Sequence, residues 1–253
     1  MLFRSLEMIY LYDGSFDGFL SVVHANRYIE RADFIYEKKK FNQFTFEKTR
    51  DVVTDIEKAK SIKKLFVDKV GLEIYSQFYY AFFSCDIEKD ITLLRYMELA
   101  FKIGFEIGNI YSVDVVSKVR KLSKKVSRER HKFLGFVRFK EMVCEKDRIL
   151  YSSIEPDNNI LYLMGNHFSD RFYGEKIIIH DKKRKIALLC ENGKNTIIEF
   201  DMNLDSFKSE VEDDFQTLWR GYFKSMAIED KISLKRQQQH VPLKYRKNLT
   251  EFK

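Results

Sequence analysis

The chain has 253 residues, 45% of them hydrophobic, with 23 phenylalanines and 14 tyrosines, which is enough for one large domain or two small ones with a real core. Only two prolines occur, Pro156 and Pro242, so long disordered linkers are not expected. The formal net charge of +7 is a mild bias toward polyanions, and apolar runs short and interrupted by charge exclude a membrane-spanning segment from the expectations.

Residues 8–12 read as a strand of β-formers, 13–15 as a turn and helix cap, and 16–31 as a helix. The opening 1–7 lacks the small-residue cleavage site of a secretory signal. Short strands are expected at 34–36 and 44–46. Ile56, Ala59, Ile62, Phe66 and Val70 keep helical spacing up to a stop at Gly71. Two further helices are expected at 72–83 and 90–107. Val115, Val119, Leu122, Val126 and Phe133 then form one apolar stripe, with Lys118, Lys121, Lys124, Lys125, Arg128 and Lys132 on the other side. Glu129 is the one acid between 118 and 132. That basic face fits a solvated surface, a phosphate-tracking surface or a partner-protein surface.

The texture changes after Gly135. Strands are expected at 136–143 and 149–154, a turn at 155–158, and a helix at 159–172. A β-meander follows at 176–180, 185–190 and 195–200, with turns at 181–184 and 192–194. A helix acidic at its start is expected at 207–228, and a helical tail from 231 to about 240, ended by Pro242. The predicted class is α+β: a mainly helical N-terminal region, 1–133, then a mixed domain, 134–253, with a small antiparallel sheet.

Several chemistries leave no trace. There is no glycine-rich phosphate loop, dinucleotide fingerprint, iron–sulfur cysteine run, zinc-deaminase motif or HExxH. The five histidines are scattered, so no metal and no cofactor is expected. The three cysteines, Cys85, Cys144 and Cys190, read as small core residues in a reduced, cytoplasmic setting.

The candidate site residues lie in the second half. His167 and Arg171 are four apart, on one helix face, where they could bind a phosphate or a base, or serve internal packing. Arg138 sits in an expected strand on the same face as Phe136, where it could stack on bases or be an ordinary edge charge. Lys182, Lys183, Arg184 and Lys185 form a basic hairpin tip, which fits a surface turn or a clamp on a nucleic-acid backbone. Trp219, Tyr222 and Phe223 have the spacing of core residues. Lys235, Arg236, Lys244, Arg246 and Lys247 crowd a tail that also carries Tyr245. The nucleic-acid-binding set is therefore Arg138, His167, Arg171, Lys183, Arg184, Lys235, Arg236, Lys244, Tyr245 and Arg246. His167, Arg171 and Asp181 are the candidates if the chain is catalytic.

The opening Tyr10-Leu11-Tyr12-Asp13-Gly14-Ser15-Phe16-Asp17-Gly18-Phe19-Leu20 resembles the start of a bacterial family of DNA-metabolism and DNA-repair proteins. The resemblance continues in Gly135-Phe136-Val137-Arg138-Phe139, Tyr151, Pro156-Asp157, His167-Phe168, Arg171-Phe172, Asp181 with Arg184, Trp219, Tyr222-Phe223, Gln237, Pro242, Tyr245 and Leu249-Thr250-Glu251-Phe252. The C-terminal half resembles the domain of unknown function 4130. The resemblance implies a chain that stands beside a radical-SAM protein of DNA modification or repair, and a domain fused elsewhere to uracil-DNA-glycosylase-like domains. Lys231 and Ser233 stand where it implies Arg and Asn, and Arg-to-Lys loses the bidentate fork. No glycosylase water-activating motif is present. The expected function is a DNA-binding component of a repair or modification system that works with a radical-SAM partner. The alternatives are an enzyme acting on damaged or modified nucleotides, and an adaptor that binds no DNA.

Overall fold

A computed structural model describes residues 7–41, 47–144, 147–201, 241–246 and 249. The expected strand at 44–46, the helix at 207–228 and the tail at 231–240 lie outside the described residues. So do Trp219, Tyr222, Phe223, Lys235, Arg236 and Lys247, and the side chain of Lys244. The chain is α+β and divides into two compact units, Met1–Ser127 and Arg128–Lys253.

In the first unit β1 (Met8–Tyr12) is the centre of a three-stranded, all-parallel sheet, flanked by β2 (Phe34–Glu37) and β3 (Lys48–Asp51) in the order β2-β1-β3. Tyr10 faces Ile35 on one side and Arg50 on the other. Met8, Ile9, Tyr10 and Tyr12 are buried, as a central parallel strand requires. Parallel neighbours need a crossover, and α1 (Phe16–Tyr28) supplies the first. Its cap is built by sequence: Ser15 Oγ accepts from Gly18 N at 2.9 Å. Asp13 Oδ1 in turn accepts from Ser15 N and Oγ, while Oδ2 accepts from Thr54 Oγ1 at 2.8 Å. Gly18 makes room for this carboxylate, since a Cβ there would lie 2.2 Å from Asp13 Oδ1.

Next, α2 (Ile56–Phe82) starts at Asp55, whose Oδ1 accepts from Glu57 N and Lys58 N. It breaks at Gly71, with φ 82° and ψ 165°, at the stop the sequence predicts. α3 (Lys89–Ile103) ends at Gly104, with φ 75°. An aromatic cluster joins these helices. Phe16 meets Tyr79 and Phe82 edge-on at 4.9 and 5.1 Å, and Phe66 meets Phe78 at 5.0 Å. Fully buried rings such as Phe19, Phe66 and Phe78 each contribute roughly 2 kcal/mol of transfer free energy.

α4 (Asp114–Phe136) supplies residues to both units. Its buried edge is Val116, Val119, Ser123, Val126, Glu129 and Phe133. The stripe is thus shifted from the expected one, and Val115 and Leu122 are only half-buried.

The second unit holds a five-stranded sheet of β4 (Lys140–Cys144), β5 (Asp147–Ile154), β6 (Lys176–Asp181), β7 (Ile186–Glu191) and β8 (Lys194–Glu199), in chain order. The sheet is mixed, correcting the expected antiparallel one. β5 and β6 run parallel, with Tyr151 opposite Ile178, and every other pair is antiparallel. A parallel pair needs a crossover, and 155–175 provides it. That segment is not the single helix expected at 159–172. It holds a short 3-10 turn, Leu161–Leu163, and then α5 (Gly165–Arg171). A Cβ on Gly165 would lie 2.5 Å from Asn195 Oδ1, so the glycine serves a close approach to β8 instead of helix continuity.

The expected strand at 136–143 is also corrected. Phe136 closes α4 and Val137 N still bonds Phe133 O, so Arg138 lies in the connector before β4. Phe133 and Phe136, three apart, both pack on Tyr245, at 4.9 and 5.8 Å, and this favours the helix period over alternation. Tyr245 belongs to a last short turn, α6 (Leu243–Arg246).

Candidate nucleic-acid interface

The outer face of α4 carries Lys118, Lys121, Lys124, Lys125, Arg128 and His131, all exposed, with Lys132 half-buried. At about 1.5 Å per residue this face runs roughly 20 Å. Lys118 is paired with Asp114 at 3.4 Å and lies 3.8 Å from Glu88. Among the described residues Lys121, Lys124, Arg128 and Lys132 face no carboxylate within ion-pair distance. The basic residues on the inner side are spent internally. The Arg120 guanidinium stacks 4.0 Å over Tyr111 and donates to Gly108 O. Arg130 Nε donates to Leu163 O at 2.7 Å.

In the second unit three of the predicted residues meet around the turn 155–158. Glu129 is buried and its carboxylate is filled. Oε1 accepts from Asp157 N at 2.9 Å and from the Tyr245 hydroxyl at 2.7 Å. Oε2 accepts from Asn158 N at 2.8 Å and Asn158 Nδ2 at 2.6 Å. The carbonyls of the same turn are taken by Arg184, which donates to Pro156 O at 3.1 Å and to Asp157 O. Arg184 Nη1 also donates to Asp181 Oδ2 at 2.7 Å, and Asp181 Oδ1 accepts from Lys183 N at 3.0 Å and Arg184 N at 3.3 Å. Asp181 is fully buried, and that burial lifts its carboxyl above the usual range against the pull of Arg184. The network fixes the β6–β7 hairpin tip and leaves the Lys183 side chain exposed.

His167 and Arg171 both lie on α5, four residues apart as expected, and form no hydrogen bond or ion pair with this network. His167 Nε2 is buried without a partner among the described residues, and its ring meets Phe168 edge-on at 5.1 Å. Arg171 is exposed beside the Phe172 ring. Arg138 donates to Gly135 O at 2.6 Å, and Arg246 Nε to Val241 O at 3.1 Å. Cys190 is buried, which pushes its thiol up to about 11, whereas Cys85 is exposed and not the core residue expected. Glu129, the hub of the network, was not among the predicted site residues. Its signal was its isolation as the lone acid of a basic run.

The family described as a domain of unknown function, DUF4130, matches residues 87–251. The chain belongs to the DUF4130 family. The DUF4130 segment takes in α3, α4 and every described element of the second unit, while β1–β3, α1 and α2 precede it. No match was found among curated proteins. Among the described residues no helix is long and apolar enough to cross a membrane, and no group of three or more His, Cys, Asp and Glu side chains is placed to hold a metal ion.

Proposed function

We propose that the chain is the DNA-binding component of a bacterial DNA repair or modification system, acting in the cytoplasm beside a radical-SAM protein and in contact with uracil-DNA-glycosylase-like proteins. The observation that carries this reading is the α4 face, where Lys121, Lys124 and Arg128 stand exposed without carboxylate partners among the described residues. Cations at this spacing suit successive phosphates, and released counterions would drive binding. Arg138, Arg171, Lys183 and Arg246 of the second unit, with Lys235, Arg236 and Lys244 of the sequence, are further candidates for phosphate contact in this reading, and His167 lies four residues before Arg171. Arg184 and Tyr245 act in this reading by holding the turn 155–158, and Asp181 by presenting Lys183.

The reading as an enzyme on modified nucleotides would use His167, Arg171 and Asp181 together. The Asp181 carboxylate is fully buried and filled by Arg184 and two backbone N–H groups, which favours binding over catalysis. The adaptor reading would use the same α4 face on an acidic protein. Fluorescence anisotropy with single-stranded, duplex and uracil-containing DNA across a salt series separates these. DNA affinity that falls log-linearly with salt supports the proposal, and an absence of binding at low salt refutes it.

A further inference from the structure

A cavity of about 460 Å³ opens at the carboxyl edge of the parallel sheet in the first unit. Open α/β sheets bind ligands outside the carboxyl ends of their parallel strands, and Tyr12 and Glu37, which pair in register, are the last residues of β1 and β2. Glu37, Lys89 and Asp90 line the cavity, and Tyr12 holds Asp90 from outside the lining. The Tyr12 hydroxyl donates to Asp90 Oδ1 at 3.0 Å, Lys89 Nζ contacts the same oxygen at 2.5 Å, and Glu37 Oε1 lies 3.6 Å from Lys89. The Lys89 and Asp90 side chains are only 10% and 9% accessible. Burying such charges is costly and adds little to stability over an apolar packing, so their place against an open cavity calls for a ligand-directed explanation.

The walls are aromatic. Tyr36 and Phe41 line the cavity with rings 5.4 Å apart. Phe34, two residues before Tyr36 on the same face of β2, lies nearly parallel to it, at 13° and 6.4 Å. Three consecutive lysines, Lys38–Lys40, form a 3-10 turn between Glu37 and Phe41. Lys38 and Lys40 hold Asp51 and Glu37 at 2.7 Å, and surface pairs of this kind are weak enough to exchange for phosphate. Cys85, also on the rim, lies 3.9 Å from Lys125 Nζ, so the basic face of α4 reaches the cavity within this unit.

We infer that this cavity takes a nucleobase from an unpaired DNA strand. The base stacks on Tyr36 and Phe41, its polar edge meets Lys89 and the Glu37 and Asp90 carboxylates, and the flanking phosphates lie on Lys38–Lys40 and Lys125. An adjacent ammonium donor and carboxylate acceptor match the neighbouring acceptor and donor groups that every nucleobase carries. The volume fits a ligand of nucleoside size. This deepens the DNA-binding reading and rests on it.

The test compares two fluorescein-labelled single strands of equal length, an oligodeoxyadenylate and a wholly abasic strand, against the full chain and its Tyr36→Ala and Phe41→Ala variants. Both side chains reach the surface or sit half-buried, and thermal melts check that the variants stay folded. The base-bearing strand should bind about tenfold more tightly than the abasic one, as expected for one stacked base. Each variant should lose that preference and keep the abasic affinity. Equal affinity for both strands in the unaltered chain overturns the base pocket and leaves the phosphate surface standing. A preference that survives both variants places the base elsewhere and also overturns it. Failure of both strands to bind overturns the base pocket, and binding of duplex DNA then decides whether the DNA reading stands.

Discussion

Glu129 shows how one residue can organise a domain. Its two oxygens accept four hydrogen bonds, from the turn 155–158 and from Tyr245. Removing the carboxylate strands donors in a buried site, so Glu129→Ala should cost about 3 kcal/mol in chemical denaturation. Tyr245→Phe removes one charge-assisted bond and should cost about 1–2 kcal/mol, less than additively with the first. The sequence marked Glu129 only as an isolated acid, because no period or motif names the backbone groups it will cap. Asp181 reads from the sequence as a catalytic candidate, and Arg184 and Tyr245 as a cation and a ring at a nucleic acid, since spacing alone does not show that their polar atoms are already engaged. A pH prediction also belongs at this scale. Burial opposes ionisation of Glu98, yet Asn26, Arg95 and Arg31 outweigh it and hold its carboxyl below the usual range. Asp13 is held down in the same way, burial being outweighed by Ser15 and Thr54. A lowered folded pKa gives stability that is complete above the unfolded value and is lost as pH falls through the folded one. The melting temperature should therefore drop as pH falls below about 4, and the drop should be shallower in Asp13→Asn/Glu98→Gln. Asp181 works in the opposite sense: its raised pKa favours the fold at low pH and loses that contribution as pH rises above the ordinary carboxylate value. An Asp13→Asn/Glu98→Gln profile as steep as that of the unaltered chain would refute the assignment.

At the scale of elements, glycines and apolar periods were the legible signals. Gly71 was read as a helix stop and adopts φ 82° and ψ 165°, a conformation nearly confined to glycine. Nothing lies within 4 Å of a Cβ built there, so Gly71→Ala would meet strain and no clash. The expected cost is about 2 kcal/mol, read from urea unfolding, and a neutral result would show that the break moves easily along α2. α4 was legible because its apolar and basic faces separate cleanly, although its end was not. A short run such as Gly135-Phe136-Val137-Arg138-Phe139 suits either period, and only packing of Phe133 and Phe136 on Tyr245 decides for the helix. The parallel pairing of β5 with β6 was hidden for a different reason. Strand composition reports burial on each face and not the direction of the neighbour, and the crossover between them holds little helix.

For the whole molecule, the α+β class followed from the sequence, while the two places that could meet a ligand did so unequally. The basic face of α4 was written in its spacing. The cavity of the first unit was not, because Tyr36, Lys89 and Asp90 come together only when β2 and α3 converge at one end of the sheet. Family membership covers 87–251, so the sheet that carries Tyr12, Tyr36 and Glu37 lies before the matched segment. In the proposed function α4 tracks a DNA backbone. The most direct measurement is the salt dependence of DNA binding by the full chain and by Lys121→Glu/Lys124→Glu, followed by fluorescence anisotropy. Affinity should fall log-linearly with salt, and the double variant should bind more weakly with a slope reduced by about 2, close to one for each phosphate that is no longer neutralised. An unchanged slope and affinity in the folded variant, or no binding by the unaltered chain at low salt, would contradict the account.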